Sequence, residues 1–202
     1  MDGLIAYGHS WVQGDGASRP ARRFVDVVSR RLGCTATNCG VGGTLSTDTA
    51  ELLSRQPPPA SRLFLVMTGL NDARLHGTSA AALESFSAAL QAIFRALDRA
   101  HPAALTIAVE QPHLTDYSQH APHDRGDDEI LDAYNQRQRA VASRHPRVLL
   151  ASVTGWDPET MLADEVHPND AGHAQVARAV LQAAETSGPP GAGGLSPSRR
   201  RP

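Results

Sequence analysis

Five short apolar runs, each followed by a stretch of helical spacing, restrict this chain to a sheet whose strands alternate with helices. The clearest run is Leu63–Met67, continuous instead of alternating, the pattern of a parallel strand covered on both faces. Residues 4–7, 105–109 and 148–153 read the same way, whereas 34–38 is poorer in apolar side chains and belongs near an edge. Between the runs, Ser18-Arg19-Pro20 marks a helix start, and Phe24, Val27, Val28 and Leu32 form one face of a helix closed by Gly33. A second helix is expected over 46–55, stopped by Pro57-Pro58-Pro59. Ser79 opens a long one with Leu83, Phe86, Leu90, Ile93, Phe94 and Leu97 on one side. Two more follow, around Ile130 to Val141 and after the capping Asn169. Segments 69–72 and 111–128 read as loops, the latter polar and without period. With right-handed crossovers this gives an α/β fold: a single-domain three-layer sandwich, a five-stranded parallel sheet with helices on both faces.

At 202 residues the chain buries a substantial core as one domain, expected over 1–185. Residues 186–202 are rich in Gly, Pro, Ser and Arg, and are expected to form a disordered tail. A formal net charge of -2 with scattered basic residues argues against a nucleic-acid surface. No apolar run reaches the length of a membrane span, and the first strand begins too near Met1 to leave room for a signal peptide. Cys34 and Cys39 are therefore expected as reduced thiols in a cytoplasmic protein.

A parallel sheet of this kind places every strand-to-helix loop at one edge, so residues far apart in sequence converge there. Ser10 follows the first strand, Gly43 the second, Asn71 the third, and Asp164 and His167 share the loop before the last helix. A serine hydroxyl needs a base to become a nucleophile, histidine suits that task near neutrality, and an acid fixes the tautomer of the base. The oxyanion formed on attack needs donors, which the backbone amides of Ser10 and Gly43 and the Asn71 side chain can supply.

In chain order, four blocks carry a resemblance. They are Gly8-His9-Ser10 with Gly14, Asn38-Cys39-Gly40-Val41-Gly42-Gly43, Gly69-Leu70-Asn71-Asp72, and Asp164-Glu165-Val166-His167-Pro168-Asn169. Together they resemble the motifs of the SGNH hydrolase superfamily, the GDSL-type esterases and lipases. The resemblance implies the flavodoxin-like SGNH fold, with Ser10 as nucleophile, His167 as base, Asp164 as its orienting acid, and Ser10, Gly43 and Asn71 around the oxyanion. Gly43 is preferred to Gly40 because it lies five residues after Asn38, and the choice between them stays open. A serine esterase acting on a small-molecule ester, with no cofactor and no metal, is the implied activity. An acyltransferase of the same fold would share the acyl-enzyme and differ only in the acceptor. The family usually carries aspartate where this chain has His9, which is expected to hold the nucleophile turn from behind, as Asp72 is expected to support Asn71.

Other readings weigh less. His113, His120 and His123 with Asp116 and Asp124 match no zinc spacing, so their segment is expected to be a solvated loop, with one wall of the substrate cleft as its alternative role. Trp11 is expected to be a core anchor, Cys39 a small packed residue, and His173 merely part of the last helix's first turn. The glycines of 8–16 and 40–43 match neither a phosphate-binding loop nor a dinucleotide fingerprint. An α/β-hydrolase would set its serine in G-x-S-x-G, which is not found around Ser10.

Overall fold

The computed structural model describes residues 3–186. Five strands, β1 (Gly3–Gly8), β2 (Thr35–Gly40), β3 (Leu63–Met67), β4 (Leu105–Val109) and β5 (Val148–Ala151), form one sheet in the order β2-β1-β3-β4-β5, with every neighbouring pair parallel. The α-helices among the described residues are α1 (Ser10–Gln13), α2 (Phe24–Leu32), α3 (Ser46–Arg55), α4 (Leu70–His76), α5 (Ala80–Ala100), α6 (Asp128–Ala142), α7 (Pro158–Met161) and α8 (Asp170–Thr186). Helix α2 packs on α8, while α3, α5 and α6 pack in succession, so the sheet is covered on both faces as expected. The strand order reverses direction at β1, and the crevice beyond the carboxyl ends of β1 and β3 is where such folds place ligands.

The core follows from the apolar runs. Leu4, Phe64, Leu65, Met67, Ile107 and Val109 are fully buried, and β2 is the sparsely apolar edge strand. Its partner β1 can approach β3 closely only because residue 8 is glycine: φ is +148° and a Cβ there would lie 1.9 Å from the Met67 carbonyl oxygen. No helix among the described residues is long and apolar enough to cross a membrane.

Several expectations needed correction. The 69–72 loop is the start of a helix, α4, which begins at Leu70 behind a left-handed Gly69 with no side-chain cap to announce it. Helix α2 starts only at Phe24, after a 3-10 turn at Pro20–Arg22, and its buried face is Phe24, Val25, Val28 and Ser29, leaving Leu32 at the surface. Strand β5 stops at Ala151, two residues short of the apolar run, and the loop beyond it contains the short α7. Thr186 belongs to α8, and the rest of the expected tail, 187–202, lies outside the described residues.

Candidate active site

Ser10 is the first residue of α1, one turn long and wedged where β1 ends. His9 caps it: its Nδ1 accepts from the Trp11 amide at 3.3 Å, and its Nε2 donates to Gln111 Oε1 at 2.9 Å. Those two bonds fix the tautomer with the proton on Nε2. Burial is complete and lowers the His9 pKa to about 4, the bond to Gln111 opposing it, so the imidazole is neutral at physiological pH. His9 therefore holds the turn from behind.

The end of β2 and the residues after it wrap the same helix. Asn38 Nδ2 donates to the Val12 carbonyl and its Oδ1 accepts from the Gly40 amide at 2.9 Å; the Gly42 amide donates to Gln13 Oε1. Gly40 is thereby occupied. The Gly43 amide, like the Ser10 amide and hydroxyl, makes no hydrogen bond among the described residues. Gly43 has φ +78°, a conformation that favours glycine. Asn71, in the first turn of α4, donates one N–H to the Thr44 carbonyl at 2.9 Å and keeps a second. Asp72 behind it accepts from the Ser46 amide and hydroxyl, which joins α4 to α3. Its burial raises its pKa even though the Ser46 bonds oppose the rise.

On the loop before α8, His167 Nδ1 lies 2.8 Å from Asp164 Oδ2 and the His167 amide donates to Asp164 Oδ1 at 2.7 Å. Burial alone would raise the Asp164 pKa; the hydrogen bonds from His167 outweigh it and hold the carboxyl below its ordinary value. The loop is closed by the Leu162–Pro168 bridge and by the Ala163 amide on the His167 carbonyl at 2.7 Å. Two contacts dock it on α1 and the turn that follows. Trp11 Nε1 donates to the Val166 carbonyl at 3.0 Å, and Gly16 packs so tightly that a Cβ would lie 2.3 Å from the Pro168 carbonyl oxygen.

Two residues that the sequence reading left in solvent also arrive here. Segment 111–127 is ordered by Arg74, a buried guanidinium that donates to the carbonyls of Tyr117 and Gln119. It is also tied to the acid loop, through Thr115 N and Oγ1 on the Glu165 carbonyl at 3.3 and 3.2 Å. This brings His120 Nε2 to 3.7 Å from Asp164 Oδ2 and its ring to 5.2 Å from that of His167. His123 borders Gly43: its Cε1 would be 3.8 Å from a Cβ there, and burial lowers its pKa. His113 is not brought in; it sits between Asp128 and Asp132, at 3.4 and 2.9 Å. His173 is more than a helix residue. Fully buried, it accepts from the Phe24 amide and donates to the Asp15 carbonyl at 3.1 Å, joining α8 to α2 and to the loop after α1. The only sequence signal for His120 and His123 was the histidine density of an otherwise aperiodic segment.

Residues 6–175 match the GDSL-like Lipase/Acylhydrolase family. No curated protein sequence gives a significant match. Among solved structures the chain is similar to LAE5, an alpha/beta hydrolase enzyme from the metagenome of Lake Arreo, Spain, at 20% identity over 91% of this chain and 95% of that one, with a TM-score of 0.66. It is similar to the family 3 carbohydrate esterase of Clostridium thermocellum at 14% identity, covering 92% and 96%, with a TM-score of 0.68. It is also similar to the salicylyl-acyltransferase SsfX3 from a tetracycline biosynthetic pathway, at 18% identity and a TM-score of 0.69, covering 92% of this chain and 54% of that one. At such identities the likeness is one of fold.

Proposed function

Since this chain belongs to the GDSL-like lipase/acylhydrolase family, we propose that it is a serine esterase working through an acyl-enzyme on Ser10. The observation that carries the reading is the Asp164–His167 pair, docked by Trp11 and Gly16 on the helix that begins with Ser10 and the turn that follows. Asp164 on Nδ1 keeps the His167 lone pair on Nε2, the nitrogen that takes the Ser10 hydroxyl proton as Oγ attacks the ester carbonyl. The oxyanion is met by the amides of Ser10 and Gly43 and the second N–H of Asn71, donors fixed before substrate arrives. Collapse expels the alcohol, which takes the proton from His167, and a water activated by the same imidazole releases the acid.

Compact acyl groups suit this site. Among the described residues the large apolar side chains left exposed are Leu32, Val41 and Leu52, and only Val41, 56% exposed, lies on a site loop. A palmitoyl chain has roughly 14 more methylenes than an acetyl group and needs apolar surface worth about 11 kcal/mol, far more than one valine offers. The cleft beside Asp164, about 450 Å³, has Thr115, Gln119, His120, Glu159 and Glu165 among its lining beside Pro158, Leu162 and Ala163, a mostly polar wall suited to a hydroxylated alcohol portion. That same polar opening favours a second reading, an acyltransferase in which an acceptor hydroxyl replaces water, the activity named for SsfX3.

The test combines p-nitrophenyl acetate turnover with mass spectrometry after a fluorophosphonate. Adduct on Ser10 and loss of nearly all turnover in Ser10→Ala are expected; adduct on another residue, or a fully active Ser10→Ala protein, refutes the assignment. Added alcohols that collect the acyl group faster than water does would move the protein to the transferase class.

A further inference from the structure

We propose that His120, Asp164 and His167 form a transition-metal site, and that a Zn²⁺-like ion bound there switches the enzyme off. Among the described residues these are the side chains whose His, Cys, Asp or Glu ligand atoms come within 4.8 Å of one another as a group of three. Asp164 Oδ2 is central, 2.8 Å from His167 Nδ1 and 3.7 Å from His120 Nε2. Zn–N and Zn–O bonds of about 2.0–2.2 Å at tetrahedral angles set ligand atoms roughly 3.3 Å apart, between those two separations. A small opening of one contact and closing of the other therefore admits an ion. Two imidazoles and one carboxylate select zinc, copper, nickel or cobalt over magnesium or calcium. Solvent can complete the shell, because the Asp164 side chain is 46% and that of His120 51% exposed.

The third ligand is held in place without substrate. Thr115 bonds the Glu165 carbonyl, Arg74 holds the Gln119 carbonyl, and the His123 amide donates to the His120 carbonyl at 3.1 Å. His120 itself has φ +63°, in the left-handed region. The inhibitory consequence rests on the proposed mechanism, whereas binding does not. A metal on Nδ1 of His167 uses the lone pair there and moves the ring proton to Nε2, so the nitrogen that acts as base in that mechanism becomes a donor and cannot accept the Ser10 proton. No net proton or electron is consumed. Asp164, shared with the ion, no longer accepts from the ring.

The experiment reads binding and activity separately. Zn²⁺ is titrated calorimetrically, and Co²⁺ by its visible tetrahedral absorption, into the full-length Ser10→Ala protein, His120→Asn and His120→Asp. Asparagine tolerates a positive φ but offers a poor ligand, and aspartate tolerates it and restores an oxygen ligand. One ion per chain is expected in Ser10→Ala, with affinity lower by about ten-fold or more in His120→Asn and partly regained in His120→Asp. Zn²⁺ should inhibit ester turnover of the wild-type protein, reversibly on chelation, at concentrations about ten-fold lower than it inhibits His120→Asn, each protein compared with its own metal-free rate. Absence of saturable binding, binding indifferent to residue 120, or binding that leaves turnover untouched overturns the proposal. If the metal-free protein hydrolyses no ester, the esterase reading fails, while the calorimetric and cobalt titrations still decide whether the site exists.

Discussion

Acid should loosen this fold by a definite amount at His9, in a pH range where ordinary carboxylates are still ionised. Burial lowers the His9 pKa from the ordinary histidine value of about 6.5 to about 4, so the unfolded chain takes up the proton first as pH falls. Stability is therefore unaffected above the unfolded value, declines as pH drops from about 6.5 towards 4, and changes no further below that. At about pH 5 the unfolded state is favoured by roughly 1.5 pK units, or about 2 kcal/mol. His173, also lowered to about 4 by burial, adds a similar amount, while the raised carboxyl of Asp72 acts in the opposite sense. The background cancels if wild type and His9→Asn are compared at both pH values. Asparagine is a good N-cap and does not titrate. Whatever His9→Asn costs at about pH 7.5, it should cost about 2 kcal/mol less at about pH 5. Urea unfolding followed through Trp11 and Trp156, whose rings lie 5.4 Å apart, provides the readout. An equal cost at both pH values would show that His9 is not held neutral, and the account of the nucleophile turn would fall with it.

Further outcomes follow from the same geometry. If Asn71 is the proposed oxyanion donor, Asn71→Ala should lower kcat by about 10²–10³-fold with little change in KM, measured on p-nitrophenyl acetate. In a series of p-nitrophenyl esters from acetate to palmitate, kcat/KM should be highest for short chains, and a steady rise with length would refute the compact-acyl reading. Arg74→Met should lower the melting temperature and raise hydrogen exchange across 115–125, because the Tyr117 and Gln119 carbonyls lose their buried donor. Arg74→Lys should not rescue it, since one ammonium lacks the planar fork that spans two carbonyls.

The sheet was readable because a parallel strand covered on both faces writes itself as a continuous apolar run, and Leu63–Met67 and Leu105–Val109 match their strands residue for residue. The Asp164–His167 pair, and the contact of Asn71 with the loop after β2 through the Thr44 carbonyl, were readable for a related reason: topology sends strand-end loops to one edge. What failed was structure made by side chains bonding to distant backbone. The path of 111–127 depends on Arg74 meeting two carbonyls more than 40 residues away, and no local period encodes that. His173 looked like any polar helix residue, yet its two ring nitrogens meet groups 149 and 158 residues distant. Leu32 keeps the angular position of the buried face but is the last residue of α2, beside the left-handed Gly33 that ends it, so it is left 43% exposed.

His9 shows how one exchange at the motif is absorbed. A carboxylate at this fully buried position could accept from the Trp11 amide but would face Gln111 Oε1, another acceptor. The neutral imidazole accepts on one side and donates on the other, so Gln111 keeps its oxygen inward. Gln111 is fixed in turn by Asn135, which accepts from its amide at 3.0 Å and donates to its carbonyl at 2.8 Å. The nucleophile helix is thus joined to the end of β4 and to α6 through neutral groups alone. Gln111 Nε2 finds no partner among the described residues, so turning the amide over would offer an aspartate the donor it needs. The same logic locates the acid damage: a proton added to His9 can go only to Nδ1, the atom that caps α1. The proton that lowers stability also removes the acceptor for the Trp11 amide, and the first structure it loosens is the turn that presents Ser10.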